Sequence, residues 1–222
     1  MEASYLQQGS ECLAKADKKA NPGMFGRVFG SRSQRMEEAC DLYKQAANFF
    51  RLAKDFHASA QAFSKCAECI PEEAANYLTE AGNSIRKANS AEAVNYYNQA
   101  VDMLAKAGRL SMAARLRKQI AEIYEQDEML ELSATSYQQA AELFEMDNGE
   151  STANQCLLKV AELLTLTSLE PATVLRAIKV TTRQVYDQVG NKYLLHNLTK
   201  FSAKDLFFRV GLLHLAIEVR TT

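Results

Sequence analysis

The side chains that could do chemistry in this sequence are few and poorly spaced for it. The histidines are His57, His196 and His214, and no pair of them has a spacing that suggests a metal site or a base beside a nucleophile. Each reads as a structural or surface residue. Cys66-Ala-Glu-Cys69 has the CxxC spacing. Zinc needs four ligands, and no second close pair is present. A redox CxxC opens a helix after a strand, whereas this one lies in a block with Phe and Ala neighbours, so small core residues are the better reading. The cysteines are Cys12, Cys40, Cys66, Cys69 and Cys156, an odd number without a visible secretory signal. That fits free thiols in a reducing cytosol. Gly23, Gly26 and Gly30 do not form a phosphate-cradling GxGxxG or GxxxxGK[ST]. An enzyme would need convergent titratable groups. The sequence offers none, so the expectation is no enzyme, no metal and no cofactor.

Two other groups of residues suit binding. The stretch NPGMFGRVFGSRS at 21–33 carries Pro22 and three of the nine glycines, so it reads as a loop. Yet Met24, Phe25, Val28 and Phe29 within it are large and apolar. Arg27, Arg32 and Arg35 flank them, with Lys15, Lys18 and Lys19 upstream. Residues 1–36 hold six basic and three acidic residues, +3 locally on a chain of formal charge -1. These side chains could tuck against the first helices or dip into a membrane. Full burial would contribute about 1.5–3 kcal/mol each. A cation near anionic lipid adds about 1 kcal/mol, so such an anchor would be weak, reversible and useful in several copies. The second group is Arg86, Lys87, Arg109, Arg115, Lys159 and Lys204. Most Lys and Arg on helices are simply solvated. Several facing one way would make a basic stripe suited to an acidic, rod-like partner.

The elements that must position these residues are helices. The chain has 222 residues with only 9 Gly and 3 Pro, too few turns for an all-β fold. It is 47% hydrophobic and 24% charged, ordinary globular usage that excludes a disordered tail protein. Balanced charge argues against a dedicated nucleic-acid binder. No apolar run of spanning length is present. A block recurs: EEACDLYKQAANFF at 37–50, AEAVNYYNQAVDML at 91–104 and ELSATSYQQAAELF at 131–144. In register they share Tyr-x-Gln-Ala at Tyr43, Tyr97 and Tyr137. Weaker copies lie at 57–70, 72–85 and 151–164. The period is about one helix per 18–20 residues. Small residues seven apart (Ala39, Ala46, Ala53; Ala93, Ala100, Ala107) line one helical face and let helices approach closely. Such hairpins bury their apolar faces only by stacking. The expectation is an all-α, right-handed solenoid of antiparallel helical hairpins. It would form one helical-repeat domain over 1–222, with an N-terminal helix at about 2–20 and an exposed apolar loop at 21–33. Gly108, Asp147-Asn148-Gly149, Pro71 and Pro171 mark helix ends and starts.

The segments FGRVFGSRSQRMEEACDLYKQAANFFRLAKDF, AGNSIRKANSAEAVNYYNQAVDM, GRLSMAARLRKQIAEIYE, STANQCLLKVAELL and FSAKDLFFRVGLLHLAIE resemble the soluble NSF attachment protein family, its alpha type most of all. The likeness runs in order from about residue 10 to the end. It implies an adaptor without an active site. Several copies wrap a four-helix SNARE complex and recruit the hexameric ATPase NSF, which unwinds the bundle in vesicle fusion and intracellular transport. It implies a cytoplasmic protein held peripherally at SNARE-bearing membranes such as Golgi and vesicles. The family's membrane-contact loop falls on Met24, Phe25, Val28 and Phe29, with Met where an aromatic is usual. Its SNARE-facing cations fall on Lys87, Arg109, Arg115, Lys159 and Lys204, and Gln155 stands where a Lys is expected.

Family members continue past Thr222. The expectation is that the chain lacks a complete C-terminal helical bundle and the acidic, leucine-ended tail that engages NSF. Either it binds SNAREs and couples poorly to NSF, or it makes a new contact through the apolar helix DLFFRVGLLHLAIEV. The other reading is a generic tetratricopeptide-like scaffold for a short peptide or chaperone partner, which would have no use for the loop at 24–29.

Overall fold

The computed structural model describes residues 1–21, 31–166, 172–195 and 200–218. Met24, Phe25, Val28 and Phe29, together with Pro171 and His196, lie outside the described residues. All regular structure among the described residues is helical, and the chain divides into two compact units, Met1–Arg109 and Leu110–Thr222. The first holds α1 (Glu2–Ala20), α2 (Arg32–Leu52), α3 (Phe56–Cys69), a 3-10 turn at Pro71–Glu73, α4 (Ala74–Ile85) and α5 (Ser90–Lys106). The second holds α6 (Leu110–Gln126), α7 (Leu130–Met146), α8 (Glu150–Leu166), α9 (Ala172–Leu194) and α10 (Lys200–Glu218). Within each unit every helix packs on the one before and the one after it in sequence. Short connections between long, side-by-side helices make those neighbours antiparallel hairpins.

The helix starts and stops have local causes. Ser31, Asp55 and Asn89 cap α2, α3 and α5, their side chains accepting from the backbone N–H of Gln34, Ala58 and Glu92 at 3.1, 3.0 and 3.1 Å. Pro71 opens the 3-10 turn at its first position, where a missing N–H costs nothing. One turn is used four times. The residue after it returns its N–H to the carbonyl five back: Asp55 to Phe50, Arg109 to Leu104, Met129 to Tyr124 and Gly149 to Phe144, at 2.7–2.9 Å. The residue before it is left-handed: Lys54, Gly108, Glu128 and Asn148, with φ between 58 and 71°. This is the Schellman closure, here with glycine at a single one of the four positions.

The recurring block supplies the core. Tyr43, Tyr97 and Tyr137 are all buried, as are Ala39, Ala46, Ala93, Ala100 and Ala140. Close helix approach depends on absent side chains: a Cβ on Gly82 would sit 2.5 Å from the ring of Tyr97, and one on Gly9 2.9 Å from Phe50. The small-residue face is shorter than its seven-residue spacing suggested. Ala53 and Ala107 fall just beyond α2 and α5, as their C-caps, so their spacing runs off the helix end. In the second unit the core gathers Tyr137, Phe144, Leu157, Val160, Leu163, Tyr186, Val189 and Leu206. Cys66 and Cys69 are buried core residues, and burial pushes the Cys69 thiol up to about 11, so it stays protonated near neutral pH.

Candidate functional site

The phenol of the recurring tyrosine reaches back to the preceding helix each time. Tyr43 donates to Asp17 Oδ1 at 2.6 Å, Tyr97 to Asn83 Oδ1 at 2.8 Å and Tyr137 to Glu125 Oε2 at 3.0 Å. In two of the three copies a lysine from the following helix completes the contact. Lys65 Nζ donates to Asp17 Oδ1 at 2.7 Å, and Lys159 Nζ to Glu125 Oε1 at 2.9 Å. Each such carboxylate therefore ties three consecutive helices: α1, α2 and α3 in one unit, α6, α7 and α8 in the other. Lys65 Nζ also lies 5.4 Å over the Tyr43 ring. Burial alone would raise the pKa of Asp17, but the hydrogen bonds from Lys65 and Tyr43 outweigh it and hold the carboxyl below its usual value. The bond to Glu125 raises that of Lys159, which stays charged.

The five cations singled out in the sequence fall in both units and in different settings. Lys87 sits exposed in the turn between α4 and α5, and Arg109 sits exposed just beyond the far end of α5. A 17-residue helix separates them, about 26 Å at 1.5 Å per residue, so they are not brought together. Arg115, Lys159 and Lys204 lie on α6, α8 and α10. Arg115 and Lys204 are exposed and make no ion pair among the described residues. Lys159 is half-buried and paired with Glu125, with Glu162 Oε2 a further 3.4 Å contact. Arg115 precedes Glu125 by ten residues on α6, about 15 Å along the axis, which separates it from Lys159 by a similar length.

A groove between α8, α9 and α10 gathers Gln155, Lys159, Glu162, Tyr186, Asp205 and Arg209. Gln155, the expected lysine position, does line the same groove as Lys159. Lys204 is not part of its lining; Arg209 is. The Arg209 guanidinium lies 5.6 Å over the Tyr186 ring and donates to its hydroxyl at 3.3 Å. Sequence reasoning passed over Arg209, although a single cation in the otherwise apolar run LFFRVGLL is a readable signal. It also missed Glu125, because nothing in spacing alone pairs a carboxylate with a lysine 34 residues on. Beside the groove α10 exposes Phe201, Phe208, Leu212 and Leu215. Among the described residues no group of His, Cys, Asp and Glu could hold a metal ion, and no helix is long and apolar enough to cross a membrane.

Helical hairpins stacked through small residues define a repeat protein of the tetratricopeptide-like class. The chain belongs to the soluble NSF attachment protein family: the family model described as "Soluble NSF attachment protein, SNAP" matches residues 7–222. It is 34% identical over 215 residues to the human alpha-soluble NSF attachment protein, covering 93% of this chain and 70% of that one. The beta-soluble NSF attachment protein of Bos taurus is 33% identical across 97% of this chain and 72% of its own length. The vesicular-fusion protein SEC17 of Komagataella phaffii is 33% identical, with 96% and 72% covered.

Proposed function

We propose that this chain is an adaptor of vesicle fusion that binds assembled SNARE complexes and attaches NSF to them, at a membrane surface. The observation that carries the reading is the family match over nearly the whole chain, to relatives whose names state NSF attachment and vesicular fusion. The chemistry of the second unit agrees with it. A four-helix SNARE bundle is a long acidic rod, and separate cations on α6, α8 and α10 suit several points of attraction to it better than one deep pocket would. The contacts assigned to the bundle are Lys87, Arg109, Arg115, Lys159 and Lys204. Met24, Phe25, Val28 and Phe29 are assigned to the lipid surface, with Lys15, Lys18 and Lys19 nearby. The reading gives the chain no reaction of its own; ATP hydrolysis belongs to NSF, and the chain needs no cofactor.

The test is a two-step capture. A soluble four-helix SNARE bundle is immobilised, this protein is added, and NSF follows with a non-hydrolysable nucleotide. The expected result is capture of this protein, weakened several-fold by Arg115→Glu and by added salt, since exposed charges are screened within about 10 Å at 0.1 M. Retention of NSF by the captured protein completes the adaptor. Absence of this protein from the immobilised bundle at low salt overturns the reading. Retention without NSF leaves a SNARE binder and removes the adaptor half. Phe25→Ser with Phe29→Ser is expected to reduce disassembly on liposomes and to leave soluble bundles unaffected; equal loss in both formats removes the lipid assignment.

A further inference from the structure

Among the described residues, Lys159 is the one cation assigned to the partner that is already engaged by two carboxylates of its own unit. Glu125 Oε1 lies 2.9 Å from its Nζ and Glu162 Oε2 lies 3.4 Å away. Glu125 is fixed on its other oxygen by the Tyr137 hydroxyl, and Tyr137 is buried. The carboxylate is therefore held in position rather than sampling solvent. The arrangement is built, since it recurs: Asp17, Tyr43 and Lys65 make the same three-way contact in the first unit. The lysine follows the tyrosine by 22 residues in both, 43 to 65 and 137 to 159. At the same spacing after Tyr97 stands Gln119, and the acceptor of the Tyr97 hydroxyl is Asn83, so the middle copy of the sequence pattern carries neither charge. The lysine side chain is 40% exposed and Glu125 32%. An acidic partner laid on α8 can therefore reach the ammonium without disturbing the core.

We infer that Glu125 sets the affinity of this face by competing with the acidic partner for Lys159. The inference rests on the adaptor reading above. When a partner carboxylate approaches, Lys159 exchanges one carboxylate for another. Its attraction in the complex is offset by the pair it leaves, and the freed Glu125 then stands as a like charge beside the incoming acid. Among the described residues, Arg115 and Lys204 have no ion pair to give up. Tyr137 is a positioning residue: it keeps Glu125 aimed at Lys159. The arrangement gives the face a cation that holds three helices together in the free protein and turns outward only for a partner acidic enough to displace Glu125.

The experiment measures equilibrium binding of a soluble four-helix SNARE bundle to the full chain and to four variants. Glu125→Gln keeps a side-chain acceptor for Tyr137 and removes the competing charge. Glu122→Gln, one turn away on α6, removes the same charge without a contact to Lys159. Lys159→Met removes the cation, and Glu125→Gln with Lys159→Met removes both. The expected result is a gain of roughly two- to fivefold for Glu125→Gln, the scale of one exposed ion pair, and a clearly smaller gain for Glu122→Gln. The gain should disappear in the Lys159→Met background. Thermal melts of all variants establish that the helices remain. A Glu125→Gln gain no larger than that of Glu122→Gln, or one that survives without Lys159, overturns the inference and leaves the adaptor reading standing. Absence of binding by the unmodified chain at low salt overturns both.

Discussion

Asp17 shows how one exposed carboxylate acts structurally in this protein. It sits at the end of α1, where it accepts from Tyr43 and from Lys65 and so joins the first three helices. Its carboxyl is held below the usual carboxylate range by those two bonds, against the opposing effect of burial. The sign of the pH dependence follows. A depressed folded-state pKa contributes stability that is present above the unfolded value of about 3.9 and is lost as pH falls through the lower folded value. The Asp17 side chain is 44% exposed, so solvent screening keeps the contribution small, on the order of 1 kcal/mol or less. Asp17→Asn is expected to lower unfolding free energy by that amount at pH 7. The gap from the unmodified chain should narrow as pH drops below 4. Urea unfolding at several pH values reads this directly, and a gap that is constant with pH would show that Asp17 acts through packing rather than charge.

At the scale of elements, the helices were legible where the repeat spoke. Tyr-x-Gln-Ala with small residues on one face marks α2, α5 and α7, and the structure buries those tyrosines and alanines together. The helix ends were legible only where they used glycine, proline or asparagine, as at Gly108, Pro71 and Asn148. The same Schellman turn at Lys54 and Glu128 carries no such residue, so nothing in composition announces it. Ala53 and Ala107 were misplaced for the related reason that a seven-residue spacing does not say where the helix stops. The cations proposed for a partner could be listed from the sequence but not arranged in space, because ion pairing of Lys159 with Glu125 depends on how α6 and α8 meet. A left-handed conformation costs an ordinary residue roughly 1 kcal/mol, against little for glycine. Glu128 has φ of 60° and is exposed. Glu128→Gly is therefore expected to stabilise the chain slightly, by up to about 0.5 kcal/mol, after subtracting the greater entropy of the unfolded glycine. Chemical denaturation measures it; a loss of stability would mean that the Glu128 side chain makes a contribution larger than its backbone strain.

At the scale of the whole molecule, a near-neutral chain of formal charge -1 carries one surface that its charge does not protect. On α10, Ala203 and Leu206 are buried, while Phe201, Phe208, Leu212 and Leu215 are 80, 67, 52 and 58% exposed. Phe201, Phe208 and Leu215 are spaced by sevens and Leu212 by four from Phe208, which sets them on one side of the helix. Scattered apolar residues are ordinary on a protein surface, but a contiguous stripe of large ones is an association site or an aggregation hazard. Burying each side chain fully would contribute about 1.5–3 kcal/mol, enough for several together to hold apolar dyes or other chains at working concentrations. Phe208→Gln with Leu212→Gln removes the centre of the stripe and keeps good helix formers in place. The double variant should bind less of an environment-sensitive apolar dye. Its apparent mass by light scattering should depend less on concentration than that of the unmodified chain. Its melting temperature should change little, because these side chains are mostly in water. A chain that already binds no dye, and whose mass stays that of a monomer from micromolar to near-millimolar concentration, would mean that the charged residues beside the stripe, Lys204, Asp205 and Arg209, suffice to keep it solvated.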